Sequence, residues 1–240
     1  MEIDRLAPLR RPSGRPAGFQ RWLTLLFLHW EVDPAVIQRT LPAGLMVDTY
    51  DGRAFIGVVP FTMRDVAPRW SPSVPGISHF HELNVRTYVV RDGVPGVWFH
   101  SLDAASTVAV LIARLHWKLP YHRASMRLEQ DGDLVTYESR RHFPGPKPGH
   151  FSGRYRIGAA LRPPEPGSLQ HFLVERYVLF AAKAGRLQLG RVHHRPYPLH
   201  EVTLEHWEED VIAAQGIERG DEAPMALFSH GVDVDVYALT

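Results

Sequence analysis

The sequence predicts a mainly β domain of the α+β class, built on an antiparallel sheet. Three Asp-Gly pairs each separate two stretches rich in β-branched and aromatic residues; they lie at 51–52, 92–93 and 131–132. Asp-Gly favours tight hairpin turns because both residues tolerate positive φ, so each pair predicts a hairpin. The expected pairs of arms are 45–50 with 53–63, 79–91 with 94–102, and 124–130 with 134–142.

A long apolar segment, 104–116, predicts a helix buried against or inside the sheet. Its apolar residues surround most of the helix circumference, and Asp103 before it can accept hydrogen bonds from the first free amides. Pro- and Gly-rich stretches at 144–153 and 163–167 are expected to be surface connections. The remaining patterns predict strands at 21–33, 186–193 and 226–239, and helices at 35–41, 168–177 and 208–215.

The composition indicates one domain and excludes several classes of protein. With 240 residues and 45% hydrophobic content, the chain can bury one substantial core. Residues 1–18 hold four Arg and three Pro without periodicity, so we expect a flexible basic arm followed by a single domain at 19–240. The apolar run 23–30 is too short to cross a bilayer and lacks a cleavage pattern, so it is expected to be a core strand.

The charge balance and the absence of cysteine restrict the partners. There are 27 Lys and Arg against 26 Asp and Glu, so neither nucleic acid nor a membrane is expected as a partner. Lack of cysteine excludes disulfides and thiolate catalysis and fits the cytoplasm. A single Asn and many Arg suit a thermophilic source, although a GC-rich genome would explain the Arg equally well. A homo-oligomer is compatible with the sequence.

The stretch 82–88 has one polar face. Glu82, Asn84 and Arg86 alternate with Leu83 and Val85, so the polar side chains point either into solvent or into a hydrated cavity. In a cavity, Arg86 could bind a carboxylate and Glu82 could transfer a proton. On an exposed face, the same residues would form only a weak ion pair.

The segment after the predicted buried helix carries a second set of polar groups. Tyr121, His122 and Arg123 offer a hydrogen-bond donor, a group that titrates near neutrality and a fixed cation. Lys118 could be an amine nucleophile if burial lowered its pKa, although a solvated lysine is the simpler interpretation.

Histidines offer an alternative, metal-dependent chemistry. His79 and His81 project from one face of a strand and could chelate a divalent ion with a third ligand from His193 or His194. The alternative is a pair of histidines exposed at a strand edge. No phosphate-binding glycine loop, nucleophile elbow or paired metal motif is present, so we expect no cofactor.

Several motifs together resemble the YqjF-like family, which carries the domain of unknown function 2071. They are Tyr50-Asp-Gly-Arg-Ala-Phe-Ile-Gly-Val-Val-Pro-Phe, Asn84-Val-Arg-Thr-Tyr-Val, Pro95-Gly-Val-Trp-Phe-His-Ser-Leu-Asp, Leu119-Pro-Tyr-His-Arg-Ala and Phe172-Leu-Val-Glu-Arg-Tyr. The resemblance covers nearly the whole chain after Arg21. That family is similar in fold to acetoacetate decarboxylase, so the resemblance implies a twisted sheet closed into a cone or barrel around a small-molecule cavity.

The resemblance also bears on the chemistry. In the decarboxylases, a Phe-Pro-Lys-Lys turn supplies a Schiff-base lysine and a second lysine that lowers its pKa. The matching turn here is Leu119-Pro120-Tyr121-His122, so an imine-forming decarboxylase is not expected, whereas Glu82 does match a family glutamate.

Three hypotheses follow. The first is a pocket framed by Glu82, Asn84, Arg86, Tyr121 and His122, with Arg123 and His194 nearby, that binds or processes a small organic acid without imine chemistry. The second is a non-catalytic binding or assembly protein that uses exposed aromatics such as Trp70. The third is a metal-dependent enzyme that uses His79 and His81.

Overall fold

The computed structural model describes residues 3–74, 78–112, 114, 119–144, 149–183 and 185–240. Strands make up most of this part of the chain. They are β1 Gly18–Val32, β2 Met46–Val47, β3 Ala54–Pro68, β4 Phe80–Arg91, β5 Val94–Ala104, β6 Tyr121–Asp131, β7 Leu134–Phe143, β8 His150–Ala160, β9 Val178–Lys183, β10 Arg186–His193, β11 Leu199–Glu209 and β12 Met225–Val236. The helices are α1 Pro34–Thr40, α2 Thr107–Ile112 and α3 Leu169–Val174, with short 3-10 helices at Ala7–Leu9 and Ala213–Gln215.

These strands form one mixed sheet that divides at two of its members. Different segments of β5 pair in parallel with β6 and β9, and different segments of β12 pair with β10 and β11. Apart from the two parallel pairings of β5, all of these pairings are antiparallel. As a result β12, β1, β3, β4 and β5 form a wall shared by two closed rings of strands. The prediction of a mainly β, α+β domain is confirmed, although the ring of nine strands is not a regular barrel.

Each face of the shared wall packs against its own core. Along β1, Leu25 and Phe27 point into the core on the side closed by β9 and β10, which we call the first lobe. Leu26 and Leu28 point the other way, into the second lobe, which is closed by β6, β7, β8 and β11. This alternation is the ordinary period of a strand, and it explains why the wall strands are apolar over most of their length.

The predicted hairpins around 92–93 and 131–132 are present as β4–β5 and β6–β7. The first predicted hairpin is wrong in its pairing. A tight turn does bring Tyr50 and Arg53 together, but β2 pairs with β4 rather than with β3. An Asp-Gly pair specifies the local turn, whereas the partner of a two-residue strand is decided by the rest of the sheet.

Two helix predictions need correction. Asp103 does not cap a helix, because pairing with β4 and β6 keeps residues 102–104 extended in β5. The helix begins at Thr107, and its Val108 and Leu111 are 43% and 49% exposed, so it is not buried all round. Residues 113 and 115–118 lie outside the described part. The helix predicted at 208–215 is replaced by the end of β11 and a single 3-10 turn.

The N-terminal segment, expected to be a flexible arm, contacts the domain at several points. The Arg5 guanidinium donates two hydrogen bonds of 2.5 and 2.6 Å to the buried Asp48 carboxylate, and Arg11 lies 2.5 Å from Asp235. The backbone of Ala17 adds a hydrogen bond to Val236. Among the described residues, no helix is long and apolar enough to span a membrane.

Candidate functional site

The polar face of β4 points into the first lobe. Glu82, Asn84 and Arg86 are only 2–8% exposed, and Tyr88 on the same face is fully buried. Their strand neighbours Leu83 and Val85, which point the other way, belong to the core of the second lobe. The alternation predicted from the sequence is therefore present, and its polar side faces the protein interior. Burying polar groups costs free energy unless they find partners, so their contacts decide what this interior can bind.

Glu82 and Tyr121 are brought together by the parallel pairing of β5 with β6. Ala104 pairs with Glu82 in β4, and Leu102, two residues earlier in β5, pairs with Tyr121 at the start of β6. The Tyr121 hydroxyl donates a hydrogen bond of 2.8 Å to Glu82 Oε2. Two groups that lie 39 residues apart in sequence thus form one buried pair.

The environment of this pair sets its protonation. Burial raises the pKa of Glu82 to about 8; the nearby Asp103 adds to the rise, while the hydrogen bond from Tyr121 opposes it. Burial and the proximity of Glu82 raise the pKa of Tyr121 well above its ordinary value. At pH 7 Glu82 is therefore mostly a neutral carboxylic acid, which can both donate and accept a proton near neutrality.

Arg86 is a buried guanidinium for which the described residues provide no salt bridge. One of its terminal nitrogens donates to the Leu173 carbonyl at 3.1 Å, and its charge lies 5.6 Å from the centre of the Phe27 ring. Its Nε has no hydrogen-bond partner among the described residues. Cation–π contacts offset part of the desolvation cost of a buried cation, and an anion would offset much more.

The absence of a side chain at Gly57 leaves room for the neighbouring side chains of His29 and Arg86. Gly57 pairs with Arg86 in β4 and with His29 in β1. A Cβ at Gly57 would lie 3.0 Å from the His29 ring, which is tighter than an ordinary contact. Neither Gly57 nor His29 was singled out from the sequence. His29 could have been found, because it follows Leu25 and Phe27 in the phase of β1 that points into the first lobe.

His29 is held by Tyr88. The Tyr88 hydroxyl donates to the Leu173 carbonyl at 2.6 Å and lies 2.7 Å from His29 Nε2. Since the phenol has one proton and gives it to the carbonyl, His29 must donate from Nε2. Burial, together with the charge of Arg86, lowers the pKa of His29 well below its ordinary value, so the ring is neutral.

His194 lies at the boundary between the first lobe and a surface cleft of about 830 Å³. Its side chain is buried, and its ring packs 4.4 Å from Tyr177 and 4.6 Å from Tyr197. The cleft is also lined by Arg21, His193, Arg195 and residues 231–235. Its volume is in the range of small-molecule sites.

The other predicted residues lie elsewhere. His122 follows Tyr121 in β6, and its Nδ1 lies 2.8 Å from the Pro144 carbonyl. Arg123 Nε donates to Thr107 Oγ1 at 3.1 Å. Neither residue has a hydrogen bond to Glu82 or Arg86 among the described residues. Lys118 lies outside the described part, and Trp70 is 86% exposed.

The two histidines of the metal hypothesis also have other contacts. His81 Nδ1 lies 2.9 Å from Thr62 Oγ1, and His79 Nδ1 accepts a hydrogen bond of 3.2 Å from the Asp65 amide. The described ranges contain no group of three or more His, Asp or Glu residues arranged to hold a metal ion.

Comparison with solved structures gives the same architecture. An acetoacetate decarboxylase-like enzyme from Sphingomonas wittichii RW1 superposes with a TM-score of 0.61 and 16% identity, over 95% of this chain and 93% of that one. The enduracididine biosynthesis enzyme MppR complexed with pyruvate gives a TM-score of 0.59 with 13% identity, over 96% and 92%. Acetoacetate decarboxylase from Legionella pneumophila gives 0.58 with 15% identity, over 100% and 97%. Identities this low establish the fold alone.

Sequence comparison is more specific. The "Uncharacterized protein YqjF" of Bacillus subtilis (strain 168) is 37% identical over 223 residues, which cover 93% of this chain and 91% of that protein. The model of the family DUF2071, described as an uncharacterized conserved protein, matches residues 19–233. The chain therefore belongs to the DUF2071 family, with YqjF as a relative and an acetoacetate decarboxylase-like fold.

Proposed function

We propose that the first lobe binds a small carboxylate-bearing molecule, with Arg86 as the carboxylate receptor and Glu82 as a proton donor or acceptor. The observation that carries this proposal is the buried Arg86 guanidinium, which has an unpartnered Nε and no carboxylate partner among the described residues. A buried cation without a counter-ion is costly, and a bound carboxylate would relieve that cost. The structural neighbour MppR, which is complexed with pyruvate, supports the choice of ligand class.

Glu82 gives the proposed site a chemical function beyond binding. A neutral carboxylic acid can donate a hydrogen bond to a carbonyl or hydroxyl oxygen of the ligand, and it can exchange its proton at physiological pH. Tyr121 orients the carboxyl group by donating to Oε2. We therefore propose non-covalent acid–base chemistry, in which Asn84 contributes a hydrogen bond to the ligand.

The Arg86→Met variant is expected to bind pyruvate at least tenfold more weakly than the wild-type protein. Methionine keeps much of the apolar volume but removes the charge, and hydrogen bonds to charged groups contribute about 1.5–3 kcal/mol each. Isothermal titration calorimetry with pyruvate measures the change. Arg127→Met is the matched control, because Arg127 is exposed and its salt bridge within the described part of the chain is to nearby Glu129 in β6. Equal pyruvate binding by wild type and Arg86→Met would contradict the proposal.

Borohydride reduction in the presence of pyruvate or acetoacetate is expected to leave the mass of the protein unchanged. The chain has three lysines, Lys118, Lys147 and Lys183, and the turn that resembles the decarboxylase motif contains Tyr121 instead of lysine. A phenol cannot form an imine, so no reducible adduct should accumulate. Intact-protein mass spectrometry checks this, with an acetoacetate decarboxylase as the positive control. A stoichiometric adduct lost in Lys118→Arg would show that imine chemistry takes place after all.

A further inference from the structure

His194 presents an unprotonated nitrogen in the protein interior. Its Nδ1 lies 2.7 Å from the backbone carbonyl of Arg195, which can only accept a hydrogen bond, so the ring proton is on Nδ1. Burial lowers the pKa of His194 to about 4, and the charge of Arg86 contributes to the decrease. The ring is therefore neutral at pH 7, and Nε2 carries a lone pair. Within the described ranges, this buried Nε2 has no hydrogen-bond partner.

Asn84, in the proposed binding region, also has a buried acceptor atom without a hydrogen-bond donor among the described residues. Its Oδ1 is a buried acceptor without a partner among the described residues, whereas Arg86 Nε is a buried donor without one. A carboxylate has only acceptor atoms, so it can satisfy Arg86 but neither Asn84 Oδ1 nor His194 Nε2. Buried polar atoms are rarely left without partners, and a ligand that supplies donors as well as a carboxylate would satisfy all three.

The position of His194 connects the surface with the proposed carboxylate site. Its ring forms part of the wall of the 830 Å³ cleft. On the interior side it packs against Tyr197, whose ring lies 5.2 Å from Phe27, and Phe27 in turn lies beneath the Arg86 guanidinium. His194 therefore lies between the cleft and the aromatic rings that pack against Arg86.

We infer that the ligand is a hydroxylated carboxylic acid, whose carboxylate binds Arg86 and whose hydroxyl group donates a hydrogen bond to His194 Nε2. This inference rests on the proposed carboxylate site and narrows its ligand class from organic acids in general to hydroxy acids. It also assigns His194 as the residue that distinguishes a hydroxyl from an oxo group, since an oxo group has no proton to donate.

Lactate and pyruvate provide a matched pair of probes, because they differ only in a hydroxyl or an oxo group at C2. The wild-type protein is expected to bind one enantiomer of lactate about tenfold more tightly than pyruvate, as one buried hydrogen bond would give. His194→Phe keeps an aromatic ring between Tyr177 and Tyr197 but removes the acceptor. It should bind lactate and pyruvate within twofold of each other. His193→Phe, in the same cleft, is the control and should keep the preference.

Calorimetric titrations of the wild type, His194→Phe and His193→Phe with D-lactate, L-lactate and pyruvate distinguish the possible results. Equal wild-type affinity for pyruvate and both lactates, or a preference that survives in His194→Phe, overturns the inference while leaving the carboxylate site intact. If none of the acids binds, the proposed function fails, and the inference fails with it because it rests on the carboxylate site.

A measurement on the wild-type protein covers the case in which His194→Phe does not fold. The ¹⁵N signal of an imidazole nitrogen responds strongly to a hydrogen bond donated to its lone pair. We expect the Nε2 signal of His194 to shift on addition of lactate and to change little with pyruvate. Identical responses to the two acids overturn the inference.

Discussion

Replacing Arg141 with methionine is expected to lower the free energy of unfolding by about 3–5 kcal/mol at pH 7, as removal of one partner from a buried ion pair does. Arg141 Nε lies 2.8 Å from Asp103 Oδ1, and its terminal nitrogen donates to Ser101 Oγ at 2.9 Å. Both charged side chains are at most 2% exposed. The variant would leave the Asp103 carboxylate buried without its counter-ion.

The pH dependence of this effect follows from Asp103. Burial raises the pKa of Asp103 to about 6, and the attraction of Arg141 only partly opposes that rise. Without Arg141 the pKa in the folded state rises further, so the folded variant can avoid a buried charge by binding a proton. The loss of stability should therefore shrink as the pH falls from 7 toward 5 and the carboxyl group becomes neutral.

Urea unfolding measures the loss of stability in Arg141→Met, and Arg154→Met is the matched control. Arg154 also joins two strands and also lies 2.8 Å from a carboxylate, that of Glu205, but its side chain is 52% exposed. Exposed ion pairs contribute about 0–1 kcal/mol, so this variant should unfold close to the wild-type midpoint. Similar losses for the two variants would mean that burial does not decide the contribution of Arg141.

Local patterns in the sequence predicted several features of the shared wall of strands. The Asp-Gly turns predicted two hairpins, and the strict alternation from Glu82 to Tyr88 predicted a polar strand face. Whether that face pointed into solvent or into the interior could not be decided from β4 alone. The answer depends on β9, β10 and α3, which close the first lobe from more than 80 residues away in the chain.

The contact between Glu82 and Tyr121 could not be derived from periodicity either. It requires β6 to pair in parallel with the end of β5, and no short-range pattern specifies such a pairing. Glu82 was predicted from the polar strand face and Tyr121 from the polar segment at 121–123, and the family resemblance then related both residues to one site. The same pairing explains the error at Asp103, since a residue that suits a helix cap is also acceptable in a strand when a buried arginine neutralises it.

His122 illustrates the limit of reasoning from proximity in sequence. It was grouped with Tyr121 because the two residues are consecutive. In a strand, however, consecutive side chains point to opposite faces, so His122 lies among groups that include Arg141 rather than beside Glu82. Had residues 121–123 been recognised as the start of a strand, the separation of Tyr121 from His122 would have been predictable.

Replacing Glu82 with glutamine is expected to stabilise the protein at neutral and alkaline pH, by an amount on the order of 3 kcal/mol at pH 7. The pKa of Glu82 is raised from 4.5 to about 8 in the folded state. Between these values the folded protein binds more protons than the unfolded chain, so its stability falls as the pH rises. Glutamine has no proton to lose, and its Oε1 can still accept the hydrogen bond from Tyr121.

Urea unfolding of both proteins between pH 4 and pH 9 isolates this contribution. Glu175, whose pKa is also raised by burial, titrates in both proteins and cancels in the difference, whereas Asp103 cancels only in part because its charge acts on Glu82. The two stabilities should converge near pH 4 and separate by about 1.4 kcal/mol per pH unit above the unfolded pKa, until the gap levels off near pH 8.

Glu205→Gln is the control without a gain, since Arg154 holds the pKa of Glu205 below its ordinary value. Parallel curves for wild type and Glu82→Gln would mean that folding does not raise the pKa of Glu82, and the proposed acid–base role would then lose its physical basis. A stabilised Glu82→Gln variant would instead indicate that the fold tolerates an unfavourable carboxyl group at this position, as residues retained for chemistry rather than stability do.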